Sequence, residues 1–270
     1  MKTETMKRKI RCAIFALIGL TSMSSLQAEI VNIDITSNAN AGPTGVSLAG
    51  VIGNADGSNT WNPVGDTAQH STLLSKDGDA TGLTCQLTGI LAATEPEVDN
   101  LGEFFINPLA EVNSNDVFFE TYAWVTGVND LQDTSSFTIS GFAPGETADL
   151  YLYSTWPWAD TGAEFRISSD GGTTWTAWQL VDGTPSEGDA SFDLGSSYTL
   201  FEDVAPHTDG TILGEWRSIL GDANRHRGMF NALQVEGVFV DPPEPPSITS
   251  ISFDTGMFTL EVAGSSDLTS

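Results

Sequence analysis

The chain has 270 residues, with 36 acidic side chains against 10 basic ones and a formal charge of −26. Five of the basic residues (Lys2, Lys7, Arg8, Lys9 and Arg11) fall within the first eleven positions, so from residue 29 onward only five stand against 35 acidic ones. Phosphate recognition needs a basic footprint, which excludes a nucleic-acid binder, and a polybasic membrane-surface role is excluded for the same reason.

Residues 1–28 have the three parts of a secretory leader: a basic start, the apolar run Cys12–Leu20, and Leu26-Gln27-Ala28 with a small residue at the cleavage position. The apolar run is short for a bilayer span, and no later segment reaches 18 apolar residues. The expectation is a secreted protein, extracellular or on the cell surface, with no membrane span in the mature chain. Beyond the leader helical periodicity is almost absent. Short runs of β-branched and aromatic residues alternate with Gly, Asp, Asn, Ser and Pro clusters.

Strands are predicted at 31–35, 81–91, 116–125, 136–140, 147–154, 164–168, 174–181, 198–201 and 233–240. In Leu83-Thr-Cys85-Gln-Leu87 the apolar residues hold the odd positions, which places Cys85 on a buried face as a small hydrophobe. Turn signals about a dozen residues apart predict an all-β fold, an antiparallel β-sandwich of jelly-roll type, over 29–240. Four prolines in Asp241-Pro-Pro-Glu-Pro-Pro246 mark 241–247 as an extended linker. Residues 248–270 then read as a hairpin around Asp254-Thr255-Gly256, the start of an incomplete second β domain, because a lone hairpin is marginal in water.

Ser168-Ser-Asp170-Gly-Gly172-Thr-Thr174-Trp175 matches the pattern S-x-D-x-G-x-T-W at its specified positions. Asp170 is suited to accept backbone N–H bonds in a tight turn, Gly172 to supply positive φ, and Trp175 to pack under the hairpin. The stretch resembles the Asp-box repeats of sialidases and other secreted β proteins. A single copy and the scarcity of arginine argue for a structural hairpin rather than a sialidase site. Asp77-Gly-Asp79-Ala-Thr81-Gly82 copies the opening of a calcium loop, but its twelfth position is Thr88 and helices are lacking, so an EF-hand is rejected. No cofactor motif is present; the Asp-rich turns leave room for a structural Ca2+.

Ile139-Ser-Gly-Phe142-Ala-Pro144-Gly145-Glu-Thr-Ala-Asp149-Leu-Tyr151-Leu-Tyr153, together with Arg227-Gly-Met-Phe230-Asn231-Ala-Leu233-Gln-Val235, resembles secreted bacterial jelly-roll domains of the galactose-binding-like kind. That resemblance implies a non-catalytic module on an exported, glycan-directed or cell-surface protein. Two candidate ligand-binding elements follow from the residues themselves. Trp156-Pro157-Trp158 puts two indoles on a proline-stiffened loop, suited to stack on sugar C–H faces. Arg225-His226-Arg227 is the basic cluster of the mature chain, suited to orient polar or anionic groups of a glycan.

No catalytic or metal-ligating residue is singled out. The ranked readings are a non-catalytic module binding polysaccharide or cell-surface glycan, then a structural or spacer domain of a large extracellular protein, then a glycan-directed hydrolase.

Overall fold

The computed structural model describes residues 27–35, 44–46, 50–53, 59–64, 70, 73–88, 123–128, 131–132, 134–154, 162–182, 192–219, 227–242, 247–254 and 257–263. Sixteen strands and no helix occur among them. β1 (Glu29–Ile35), β2 (Thr44–Val46), β3 (Asn59–Val64), β8 (Ala148–Tyr153), β11 (Tyr198–Val204) and β14 (Ala232–Gly237) make one sheet, in the order β11-β8-β14-β1-β3-β2. β4 (Thr84–Thr88), β7 (Thr134–Ser140), β9 (Ala163–Ser168), β10 (Gln179–Val181) and β12 (Thr211–Ser218) make the second, in the order β10-β9-β12-β7-β4.

β1, β7, β8, β9, β10, β11, β12 and β14, numbered one to eight along the chain, lie as 1-8-3-6 in the first sheet and 2-7-4-5 in the second. That is the doubled Greek key of a jelly roll. β2, β3 and β4 extend its edges between the first and second of these strands, and the β1–β3 pair is parallel. β13 (Arg227–Phe230), β5 (Ala123–Val128) and β6 (Leu131–Gln132) form a small third sheet.

The core lies between the two large sheets. Val31, Ile33 and Ile35 of β1, Leu150 and Leu152 of β8, and Leu233 and Val235 of β14 face Leu87, Phe137, Ile139, Phe165 and Trp216 from the other sheet. Cys85 joins this layer at 1 % exposure, and burial pushes its thiol up to about 12, so it is a packing group rather than a nucleophile. Phe230 of β13 plugs one end of the layer, with ring centroids 5.2–5.3 Å from those of Trp216, Phe137 and Phe165.

The two sheets treat their outer faces differently. β12, β7 and β4 alternate strictly between buried and half-buried positions. In β1, β8 and β14 nearly every residue is buried. Trp61, Tyr151, Tyr153 and Ala232 form a second apolar cluster on that outer face, joined by Val51, Ile52, Phe192, Tyr198 and Leu200. The polar members of the alternation are buried there as well: Asn32, Asp34 and Gln234 are 0 %, 5 % and 0 % exposed.

β15 (Ser247–Asp254) and β16 (Met257–Ala263) pair with each other alone among the described residues. Their register sets Asp254 opposite Met257, which leaves two residues between the strands where the sequence suggested a three-residue loop.

Candidate functional site

The ends of the sandwich are unequal. The turns at 141–147, 169–178 and 205–210 close one end. The strand ends that flank 89–122, 155–161, 183–191 and 220–226 gather at the other, because Ser218 pairs with Ala163, Tyr153 with Ala232 and Thr88 with Ser136. Trp156, Trp158, Arg225 and His226 lie outside the described residues; the strand ends that flank their segments are neighbours. Arg227 opens β13 opposite Thr126 of β5. The described strand ends on either side of these two segments thus lie at one end of the molecule.

The described residues build a different candidate, the outer face of the five-stranded sheet. Register puts Arg166 beside Glu215 and Glu164 beside Arg217 on adjacent strands β9 and β12. The same rows continue through Ser136 and Thr134 of β7, and the Ser136 row reaches Thr88 of β4. The next row holds Leu213, Thr138 and Gln86. Strand periodicity turns all of them outward, and each is half-buried.

Arg166 donates through Nε to Glu215 at 2.6 Å, and Arg217 donates through Nε to Glu164 at 2.7 Å. Trp178 carries both guanidinium groups, with Arg166 Cζ 4.4 Å and Arg217 Cζ 4.1 Å from its ring centroid, and Arg166 also lies 4.7 Å from the ring of Trp175. The result is a braced wall of two indoles and two guanidiniums beside a plain of hydroxyl and amide groups. Thr88 and Ser136 hydroxyls hydrogen-bond across strands at 2.9 Å, as do Ser140 and Thr211 at 3.2 Å.

The turn at 168–175 explains how the indoles reach that position. Asp170 accepts from the Thr174 N–H at 2.8 Å, from the Thr174 hydroxyl at 2.6 Å and from the Ser168 hydroxyl at 2.8 Å. Gly172 has φ +87°, which the turn requires and an L side chain resists. Trp175 returns its indole N–H to the Gly172 carbonyl at 3.1 Å. Thr176 then rejoins β9, its N–H donating to the Ile167 carbonyl and its hydroxyl accepting from the Ile167 N–H. These bonds hold 174–176, and β10 begins only at Gln179, so the strand predicted from Thr174 is shortened.

The hydrogen bonds to its carboxylate, from Thr174 first and then Ser168, hold Asp170 down at about 2 against an ordinary 3.8. A depressed carboxyl stabilises the folded state above about pH 4 and loses that contribution as pH falls through 2. Asp170→Asn is therefore expected to melt below the parent at pH 5, with the gap closing between pH 4 and pH 2. Melting curves across that range check it, and a gap independent of pH would contradict the assignment.

Near Asp77 and Asp79 the Thr81 hydroxyl turns inward and donates to the Leu73 carbonyl at 2.6 Å. Among the described residues no three His, Cys, Asp or Glu side chains are arranged to hold a metal, and no helix is long and apolar enough to cross a membrane.

The fold and this face define a jelly-roll sandwich with one polar, aromatic-edged sheet surface. No family model and no curated protein matches the chain. Among solved structures it is similar to a plant receptor-like kinase, ANX2, at 12 % identity and a TM-score of 0.33, over 80 % of this chain and 50 % of that one. The chain thus spans about half the length of that structure.

Proposed function

We propose that this is an exported, non-catalytic module that binds neutral polysaccharide, with the outer face of the five-stranded sheet as its binding surface. The observation that carries the reading is the composition of that face. Ser136, Thr138, Gln86 and Thr88 offer half-exposed donors and acceptors, the currency in which a polyhydroxylated ligand exchanges its water. Trp175 and Trp178 stand at the rim, pre-positioned by the Asp-box-like turn and by two arginines. Net charge selects against anionic polymers, because the field of a mature chain with 35 acidic residues against five basic ones repels them. The galactose-binding-like resemblance implies the same reading; its two stretches run from the end of β7 into β8 and from β13 into β14. The leader at 1–28 supports export.

The second reading is a spacer domain. It is favoured by the fact that Arg166 and Arg217 are already engaged by Glu215, Glu164 and Trp178.

Retention of the leaderless chain on insoluble and arrayed neutral polysaccharides tests the proposal. Ser136→Glu and Thr138→Arg, which put bulk and charge on the face without touching the core, are expected to weaken binding at least about tenfold, the loss of about 1.4 kcal/mol. Absence of retention on every polysaccharide favours the spacer. Retention unaffected by these changes but abolished by Trp156→Ala with Trp158→Ala moves the site to the loop-bearing end.

A further inference from the structure

We propose that the polysaccharide lies across the strands as an extended chain, with Leu180 completing an apolar ledge under one end of it, and that the ligand is a linear glycan of all-equatorial sugars. The proposal rests on the binding surface named above and adds to it an axis, a residue and a class of sugar. Leu180 is the first observation. It is the outward residue of the edge strand β10, opposite Glu164 of β9, and it is 51 % exposed. Edge strands are ordinarily blunted with charge, and an exposed leucine there is a liability unless something covers it. Its row runs on through Glu164, Arg217 and Thr134. The Arg217 guanidinium of that row lies 4.1 Å from the ring of Trp178, two residues before Leu180. Leu180 therefore belongs to the same rim as the two half-buried indoles.

The second observation is the distribution of charge. Every outward residue of β7 and β4 is Ser, Thr or Gln, although from residue 29 onward the chain has 35 acidic side chains. A face kept only for solvent would share in that acidity. Between this strip and the ledge lie β9 and β12, whose outward charges cancel in the pairs Arg166–Glu215 and Arg217–Glu164. The face thus has three bands parallel to the strands: apolar, self-neutralised and hydroxylic. None of them carries a net charge with which to select an ion.

Distance turns the bands into a ligand. From β10 to β4 there are four strand spacings, about 19 Å. A single sugar covers one band. A chain set along the strands follows one band and misses the others, whereas a chain set across them meets all three. All-equatorial pyranose rings carry hydroxyls around the rim and C–H bonds on both faces. Such a chain lays C–H groups on Leu180 and the indoles and exchanges its water for the Ser, Thr and Gln side chains beyond. An axial hydroxyl would be pressed against the ledge with no partner there, and that desolvation is costly.

Calorimetric titration of the leaderless chain with cello- and manno-oligosaccharides, from the disaccharide to the hexasaccharide, tests this. Affinity for the cello series is expected to rise at least about tenfold over that range as successive bands are covered. It is expected to exceed affinity for the manno series, whose sugars carry an axial hydroxyl. Leu180→Ser changes a side chain outside the core, so it should keep the parent's melting curve. It is expected to weaken the cellohexaose complex about three- to tenfold, the effect of uncovering roughly half a leucine side chain. Affinity that does not grow with chain length, no preference for the cello series, or a Leu180→Ser protein that binds as the parent does overturns the proposal. If Ser136→Glu still abolishes binding in any of those cases, the surface stands and only the course of the chain across it falls. If no member of either series and no insoluble polysaccharide is retained, the surface itself falls, and this inference with it.

Discussion

Gly214→Ala is expected to destabilise the sandwich by about 3 kcal/mol, lowering its melting temperature by about 6–12 °C. Gly214 occupies an inward position of β12, between Ile212 and Trp216, and its cross-strand partner is Phe137. The ring of Phe137 lies over the glycine so closely that an added Cβ would stand 1.9 Å from Cζ and 2.3 Å from Cε1. The aromatic side chain fills the space that the glycine leaves, a cross-strand pairing known to stabilise glycine in sheets. The ring has little freedom to retreat, because Phe230 is 5.3 Å and Trp216 is 6.5 Å away between centroids.

Phe137→Leu opens that space at its own cost, about 1–2 kcal/mol for a smaller side chain in a packed core. The double variant is expected to be more stable than the sum of the two losses implies, with a coupling of at least about 1 kcal/mol. Urea unfolding of the four proteins reads it directly. Simple additivity would show that the ring and the glycine do not share that space.

The second large effect is expected on the other side of the molecule. Gln234, fully buried on β14, accepts through Oε1 from the Val51 and Ile52 N–H groups at 3.0 and 3.3 Å and from the Tyr153 hydroxyl. Through Nε2 it donates to Asn32 Oδ1 and to the Ile52 carbonyl, both at 2.7 Å. Asn32 in turn donates to the Thr60 carbonyl, and Asn62 ties the Asn32 and Leu74 carbonyls. One amide therefore fastens 50–53 to three strands.

Gln234→Leu keeps the volume and removes every one of these bonds. Ile52 N–H and C=O, Asn32 Oδ1 and the Tyr153 hydroxyl lose a partner in a place where water is scarce, at about 1–3 kcal/mol for each group that stays buried. Release of 50–53 to solvent limits the total, so a loss of about 3–5 kcal/mol is expected. Tyr153→Phe, which removes one hydroxyl while Gln234 still holds the segment, should cost about 1 kcal/mol. Parallel denaturation curves check the pair. A Gln234→Leu protein within 1 kcal/mol of the parent would mean that the network only decorates an apolar contact.

Most of the jelly-roll strands were legible because they obey period two and use β-branched residues inside. Val31-Asn-Ile33-Asp-Ile35 and Ser136–Ser140 declare both strand and face. What alternation did not disclose is that the polar half of β1 and β14 is buried too. A polar residue reads as solvent-facing unless its partner is known, and Asn32 meets Gln234 across 202 positions of chain.

β12 escaped notice because Gly214 breaks the apolar rhythm at the position where Phe137 completes it. β3 escaped because Asn59-Thr-Trp-Asn-Pro63-Val reads as a turn. Its proline is tolerable where it stands, since β2 pairs only with Asn59–Trp61 and Pro63 has a strand neighbour on the β1 side alone.

The site was less legible than the fold. Trp178 carries no motif, and its meaning comes from Arg166 and Arg217, 12 residues before it and 39 after. One signal was present: two arginines at outward positions of strands, in a chain with so few cations that any pair of them calls for an account.

The register of β1 and β14 has a mechanical consequence. β1 and β14 run antiparallel with Glu29 opposite Gly237, so the start of β1 and the end of β14 lie side by side. Tension applied between those two points pulls across the ladder rather than along it, and loads its hydrogen bonds one at a time, as a zipper is opened. Within a stretched tether this unit would yield at low force and lengthen, acting as an extensible element instead of a rigid link.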